Sequence, residues 1–102
     1  MHEDSSRAQN PIRQVRKQLG LTQGQLALIC QVSTVQIYEA ERGGPAAILP
    51  AIQRGLEALG ADAEMLNVKY QAWRRLQGVR LLQQVRQREE HRKACAGEDF
   101  GA

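Results

Sequence analysis

The chain has 102 residues, a formal net charge of +3 and a sequence pI of about 9.2. A chain of this length allows one domain with an extension, and a mild positive charge permits a nucleic-acid partner without establishing one. No apolar run approaches the roughly 18 residues of a membrane span, and no secretory segment is visible at the N-terminus. Cys30 and Cys95 lie too far apart for a metal motif, so we expect a cytoplasmic protein with reduced thiols and no membrane contact.

The first ordered element is a short helix. Residues 1–10 are polar and aperiodic, which predicts a disordered N-terminal tail. Asn10 and Pro11 then form a good helix start, because Asn suits the N-cap and Pro suits the first helical position. Gly20 ends this helix. Its inward stripe consists of apolar residues at helical spacing, namely Ile12, Val15 and Leu19.

Two more short helices follow, with a tight turn between them. Thr22 and Ser33 can each cap a helix, because a hydroxyl oxygen accepts hydrogen bonds from the free N–H groups of the first turn. The predicted helices cover residues 23–30 and 34–42, and Gly43 is a natural stop because it takes positive φ without a Cβ clash. Two short helices joined in this way form a helix-turn-helix, whose second helix enters the major groove in DNA-binding proteins.

Many residues of this stretch fall at characteristic positions: Leu21, Thr22, Gln23, Leu26, Ala27, Val32, Ser33, Ile37, Glu41, Arg42 and Gly43. Together they resemble the signature of Cro/C1-type (XRE-family) DNA-binding domains, and the resemblance covers roughly residues 11–66. Gln31 stands where the family usually has glycine in the turn. Leu28 and Ile29 stand where the family usually has exposed polar residues.

The resemblance implies an all-α fold, namely a five-helix lambda-repressor-like helix-turn-helix domain with a long C-terminal helix. We place the DNA-binding domain at residues 11–61, a C-terminal helical extension at 62–95 and a disordered tail at 96–102. The fourth helix follows the turn that begins at Gly43. Pro50 must lie in the first turn of that helix or kink it.

The resemblance also implies roles for individual side chains. Base edges would be met by Thr34, Val35 and Glu39, with Gln36 reaching flanking bases or the DNA backbone. Residues expected at the DNA backbone are Arg16, Thr22, Gln23, Tyr38 and Arg42. Arg16 is also expected to pair with Glu41, which would join the first helix to the third. The side chains suit this role, since Thr and Val methyl groups can contact thymine, Gln can read adenine and Glu can accept from cytosine. The competing interpretation is that they are ordinary surface residues of a helical domain.

The C-terminal part has an unusual apolar pattern. Residues 62–94 contain no proline and one glycine, Gly78, so one long helix and two stacked segments are both allowed. The apolar residues do not form a clean heptad seam, which argues against a simple coiled coil. We expect this part to cover the second helix, from its own subunit or from another, and to build a homodimer. The residues predicted at this dimer or partner interface are Leu28, Ile29, Trp73, Leu76, Val79, Leu81, Leu82 and Val85.

The same segment is strongly basic. Residues 69–93 carry eight basic side chains against Glu89 and Glu90, a net charge of +6. This pattern fits an ordinary charged helix surface, a phosphate-binding stripe or a surface for an acidic protein partner, and the sequence leaves all three open.

The sequence shows no enzyme site and calls for no cofactor, because it has no catalytic triad pattern, Gly-rich phosphate loop or metal cluster. The main hypothesis is a sequence-specific transcriptional regulator of bacterial or phage origin, a repressor that binds double-stranded DNA at an inverted repeat as a homodimer. A second is an antitoxin or protein-inhibitor module whose C-terminal helix binds a partner protein while the helix-turn-helix autoregulates. A third is a domain that has lost DNA binding and only assembles protein complexes.

Overall fold

The computed structural model describes the backbone of residues 8–101 and the side chains of residues 8–93. These residues form five α-helices and contain no strand, which confirms the all-α class. The helices are α1 (Pro11–Gln18), α2 (Gln23–Cys30), α3 (Thr34–Arg42), α4 (Pro50–Ala58) and α5 (Ala63–Gly101). The first seven residues of the predicted N-terminal tail lie outside the described part of the chain.

The helices α2 and α3 both begin with a capping box. The Thr22 hydroxyl accepts from the Gln25 N–H at 3.0 Å, while the Gln25 side-chain oxygen accepts from the Thr22 N–H at 2.9 Å. Ser33 and Gln36 repeat this arrangement at 3.1 and 2.9 Å. Each box satisfies two N–H groups that a helix start otherwise leaves without partners, so both short helices have well-defined first turns.

Asn10 does more than cap α1. Its side-chain oxygen accepts from the Ile12 N–H at 2.8 Å, while its amide nitrogen donates to the carbonyl oxygens of Ala40 and Glu41 at 3.1 and 2.8 Å. The residue is completely buried. One side chain therefore starts α1 and also satisfies carbonyl groups that the end of α3 leaves free.

The turn between α2 and α3 requires a left-handed residue. Gln31 takes this conformation, with φ 60° and ψ 41°, and it is the only non-glycine residue with positive φ in the described part of the chain. The sequence leaves open whether Gln31 adopts or avoids the conformation that glycine adopts freely. The structure shows that it adopts it, at a conformational cost to a residue with a Cβ.

The core is aliphatic apart from two aromatic side chains of α5. Its members are Ile12, Leu26, Ala27, Cys30, Ile37, Ala40, Ile48, Ile52, Leu56, Leu66, Tyr70 and Trp73. Burial raises the pKa of the Cys30 thiol, which keeps it protonated and unreactive. The Tyr70 hydroxyl donates to the Pro45 carbonyl at 2.6 Å; burial raises its pKa, and the charge of Arg74 opposes that shift. The core thus runs past residue 61 into the first turns of α5.

The start of α5 is attached to the end of α3. The Trp73 ring lies against Gly43, where an added Cβ would stand 2.6 Å from the ring. Arg74 donates to the carbonyl oxygens of Gly43 and Gly44 at 2.8 and 3.2 Å. Trp73 is 8% exposed and belongs to the core of its own domain, although the sequence predicts it at an interface with another chain.

Beyond residue 74, α5 projects away from the domain. The longest dimension of the chain is 66 Å and its radius of gyration is 18.4 Å, against about 13 Å for a compact chain of 100 residues. Within the chain α5 packs on α1 and α4, so it does not shield the outer face of α2. Leu28 remains 75% exposed and Ile29 39% exposed, which corrects the expectation that the same subunit covers them.

The helix α5 is continuous, which decides between one long helix and two stacked segments. It runs to Gly101 and so includes residues 96–101, over which the sequence predicts a disordered tail. Although α5 has 39 residues, neither it nor any other described helix is long and apolar enough to cross a membrane.

The strain at Gln31 gives a stability prediction. Replacing Gln31 with Gly should raise the free energy of unfolding by about 0.5–1 kcal/mol, because relief of the left-handed strain outweighs the extra freedom of the unfolded chain. Urea unfolding followed by circular dichroism would measure it. Gly20 provides the reverse control, because it has φ 71° and an added Cβ would meet nothing within 4 Å. Gly20→Ala should therefore lower the free energy of unfolding by about 1 kcal/mol through left-handed strain alone. A loss in Gln31→Gly would show that the Gln31 side chain itself stabilises the turn.

Candidate nucleic-acid interface

The outer face of α3 carries most of the residues predicted to read DNA. At 100° per residue, five positions fall on one side of the helix: Thr34, Val35, Tyr38, Glu39 and Arg42. The opposite side consists of Ile37, Ala40 and Glu41, which are all buried in the domain. Val35 is 67% exposed and Tyr38 is 40% exposed. The buried side therefore holds α3 in place while its outer side remains open to a ligand.

Gln36 stands at the edge of this face and is already engaged. Its side-chain oxygen accepts from the Ser33 N–H at 2.9 Å as part of the capping box. A bidentate contact to adenine requires the amide to accept and to donate at once. In this conformation the amide N–H groups of Gln36 remain available to DNA, and the contact with flanking bases or the DNA backbone expected for Gln36 stays a prediction.

Glu39 and Arg42 share the outer face as an ion pair. Arg42 Nη1 lies 3.2 Å from Glu39 Oε2, and about half of the Arg42 side chain is exposed to solvent. An exposed pair of this kind contributes under about 1 kcal/mol, so DNA can separate it at little cost. Both side chains therefore remain available, Glu39 as an acceptor for cytosine N4 and Arg42 as a donor to phosphate.

Beneath this face, Arg16 and Glu41 form the pair that the family resemblance implies. Arg16 Nε and Nη2 lie 2.5 and 3.0 Å from the two Glu41 carboxylate oxygens. Arg16 Nη1 also donates to the Leu21 carbonyl at 2.8 Å, and Gln23 Nε2 donates to Glu41 at 3.1 Å. The side chains of the pair are only 8% and 4% exposed. This network joins α1, α2 and α3.

The network fixes the position of Arg16. Each nitrogen of its guanidinium donates to Glu41 or Leu21 within the domain, and the residue is 6% exposed. A guanidinium has five N–H donors, and these contacts use three of them. The contact of Arg16 with the DNA backbone stays a prediction, and it would have to keep the Glu41 pair intact, because a buried unpaired charge is costly.

A basic depression lies beside the N-terminus of α2. It is lined by Arg13, Arg16, Lys17, Thr22 and Gln23, together with Gly20 and Leu21 of the α1–α2 turn. The positive end of the α2 dipole and the Arg13 and Lys17 cations make this a favourable place for a phosphate. The sequence interpretation missed Arg13 and Lys17, which looked like solvated surface, although their i, i+4 spacing already placed them on one face of α1.

The comparisons with known proteins agree with this geometry. Residues 12–60, from the first turn of α1 through α4, match the family model described as Helix-turn-helix. Residues 12–60 are therefore a helix-turn-helix domain of the Cro/C1 type. Domains of this family bind DNA in regulators and are not enzymes. The search of curated proteins and the search of solved structures gave no match.

The described part of the chain contains no cluster of three or more His, Cys, Asp or Glu residues that could hold a metal ion.

The residues of the candidate interface lie on α1, α2 and α3 and in the turn before α2, all within the matched segment. The exposed apolar residues of α5 lie outside it. The DNA-binding surface and the projecting helix are therefore separate features of the chain.

The buried pair gives a prediction with an internal control. Glu41→Ala should lower the free energy of unfolding by about 3–5 kcal/mol, because it leaves the buried Arg16 guanidinium without its partner. Glu39→Ala removes the same carboxylate from an exposed pair on the same helix and should cost less than about 1 kcal/mol. Equal losses in the two variants, measured by thermal unfolding, would show that burial does not strengthen the Arg16–Glu41 pair.

Proposed function

We propose that the protein is a sequence-specific transcriptional regulator, a repressor that binds an inverted repeat in double-stranded DNA as a homodimer. The observation that carries the proposal is the exposed face of α3, which the Arg16–Glu41 pair and Asn10 hold rigidly against the rest of the domain. A helix held in this way can enter the major groove without further ordering, which lowers the entropic cost of binding. A DNA ligand also implies a cytoplasmic location.

Base recognition falls to the exposed side chains of α3. Thr34 and Val35 offer methyl groups to thymine, and Glu39 offers an acceptor to cytosine N4. We assign contacts with the DNA backbone to Arg16, Thr22, Gln23, Tyr38 and Arg42, and the basic depression beside α2 supports adding Arg13 and Lys17. Sequence specificity thus rests on few contacts in each copy.

Two copies on one site follow from the modest charge of this surface. A single domain with few phosphate contacts binds weakly, because phosphate neutralisation supplies much of protein–DNA affinity. Joining two domains makes the second binding event intramolecular and adds its free energy to the first. Binding across a promoter would then repress transcription by excluding other proteins from the DNA.

Selection of bound DNA from a random pool, using the full-length protein, tests this function. We expect enrichment of a palindromic motif whose half-sites are related by the two-fold axis of the dimer. The affinity for that motif should fall steeply with salt concentration. Failure to enrich any motif would reject a sequence-specific regulator.

The roles of individual residues can be separated on the selected motif. Glu39→Ala should change the preference at one base position, with a loss of discrimination of roughly 1–3 kcal/mol there. Lys17→Ala should instead weaken binding to all sequences alike and reduce the salt slope by about 1, because it removes a phosphate contact. Fluorescence anisotropy with single-base variants of the motif would measure both. Uniform weakening by Glu39→Ala would remove α3 from base reading.

A further inference from the structure

We infer that residues 75–92 of α5 form the dimer interface and pair in antiparallel orientation with the same segment of a second copy. This inference rests on the proposed function, which requires a dimer. It adds which surface of α5 forms the dimer and how the two helices are oriented. The segment lies beyond Arg74, which donates to the Gly43 carbonyl of its own domain. None of its residues belongs to the core, and all except Gln77 and Glu89 are exposed.

The segment has one apolar face. Val79, Leu81, Leu82 and Val85 are between 47% and 58% exposed. At 100° per residue they fall within an arc of roughly 160°, and the opposite arc carries glutamine side chains. This apolar face is turned about 140° around the helix from the face that packs on the domain through Leu66, Tyr70 and Trp73. Only Leu76, 44% exposed, falls outside it.

The line along the middle of this face holds Arg75, Gly78, Leu82, Val85, Glu89 and Arg92. The apolar pair Leu82 and Val85 at its centre, with the small residue Gly78 one turn away, suits this line to contact with a second helix. Across residues 62–94 this pattern is hidden, because the core residues Leu66, Tyr70 and Trp73 lie on a different face of α5. When those residues are assigned to the domain, a short seam remains on the other face.

Gly78 lies in this seam, one turn before Leu82. Glycine in a helix interior costs about 1 kcal/mol relative to alanine. Nothing within its own chain requires a glycine there, since an added Cβ would meet no atom within 4 Å. The close approach of a second helix gives this residue a use.

Charge favours the antiparallel orientation. A parallel pair would place Arg75, Glu89 and Arg92 each beside the same residue of the other copy, and it would align both basic segments 86–93. An antiparallel pair places Leu82 against Val85 of the second copy at the centre and Arg75 against Arg92 at each end. Glu89 of the second copy then lies next to Gly78 and one turn from Arg75, where it offsets the two like charges.

The antiparallel arrangement also suits the DNA. Because Trp73 and Arg74 attach α5 to the end of α3, the position of each recognition helix follows from the position of its α5. With the two-fold axis between Leu82 and Val85, the two Trp73 positions, where α5 meets the end of α3, lie roughly 32 Å apart at 1.5 Å per residue. Half-sites one turn of DNA apart are separated by about 34–36 Å.

Sedimentation equilibrium of the full-length protein without DNA tests the surface. We expect a dimer at micromolar concentration. Leu82→Glu should weaken dimerisation by more than roughly 100-fold, since each dimer loses two buried leucines. Gln84→Glu adds the same charge on the opposite face and should leave the dimer intact. A monomeric wild-type protein, or equal behaviour of the two variants, would overturn the inference, and a monomer would point to a different protein partner for this face.

Cysteine cross-linking tests the orientation, in a Cys95→Ser background. Arg75→Cys and Arg92→Cys variants should each fail to form a covalent dimer alone, while an equimolar mixture of the two should form one on oxidation. Self-linking of either variant would show a parallel pair and overturn the antiparallel assignment. Absence of any cross-link in a dimeric sample would place the interface elsewhere.

These experiments need no DNA, so the two proposals can fail separately. A cross-linked antiparallel dimer that selects no DNA motif would reject the repressor function and keep the interface. A protein that selects a motif while remaining monomeric would keep the DNA-binding function and reject the interface.

Discussion

The buried ion pair between Arg16 and Glu41 is the interaction on which the DNA-binding surface depends. Two charges in a low-dielectric interior are favourable only when their hydrogen bonds are satisfied, and here Leu21 and Gln23 complete them. The pair and its hydrogen bonds join α1, α2 and α3, which also share a core that contains Ile12, Leu26 and Ile37. The geometry of the pair sets the angle between α1 and α3, and thereby the direction in which the outer face of α3 points.

Side chains also stabilise both ends of α3. At its start, the capping box uses the side chain of Gln36, which stands at the edge of the face predicted to contact DNA. At its end, Asn10 and Arg74 donate to carbonyl oxygens that a short helix leaves free. A helix of nine residues is marginal alone, and these contacts from elsewhere in the chain make it rigid enough to present side chains.

Gly43 links the recognition helix to the projecting one. Its positive φ ends α3, and its lack of a Cβ admits the Trp73 ring. A movement of α5 therefore acts on the end of α3 through a direct contact. In a regulator that uses α5 to join two copies, this contact would transmit the dimer geometry to the DNA-binding surface, with no flexible linker between them.

The sequence by itself determined the helices of the DNA-binding domain and the Arg16–Glu41 pairing, because caps, glycine stops and family positions are local signals. It could not determine that Trp73 is a core residue, that Leu21 and Gln23 complete the hydrogen bonds of the buried pair, or that α5 leaves α2 uncovered. Those outcomes depend on which helices pack together, and an apolar residue on a long helix looks the same whether its partner is its own domain or another chain. Tertiary packing divided the apolar residues of α5 into two faces, one buried in the domain and one exposed.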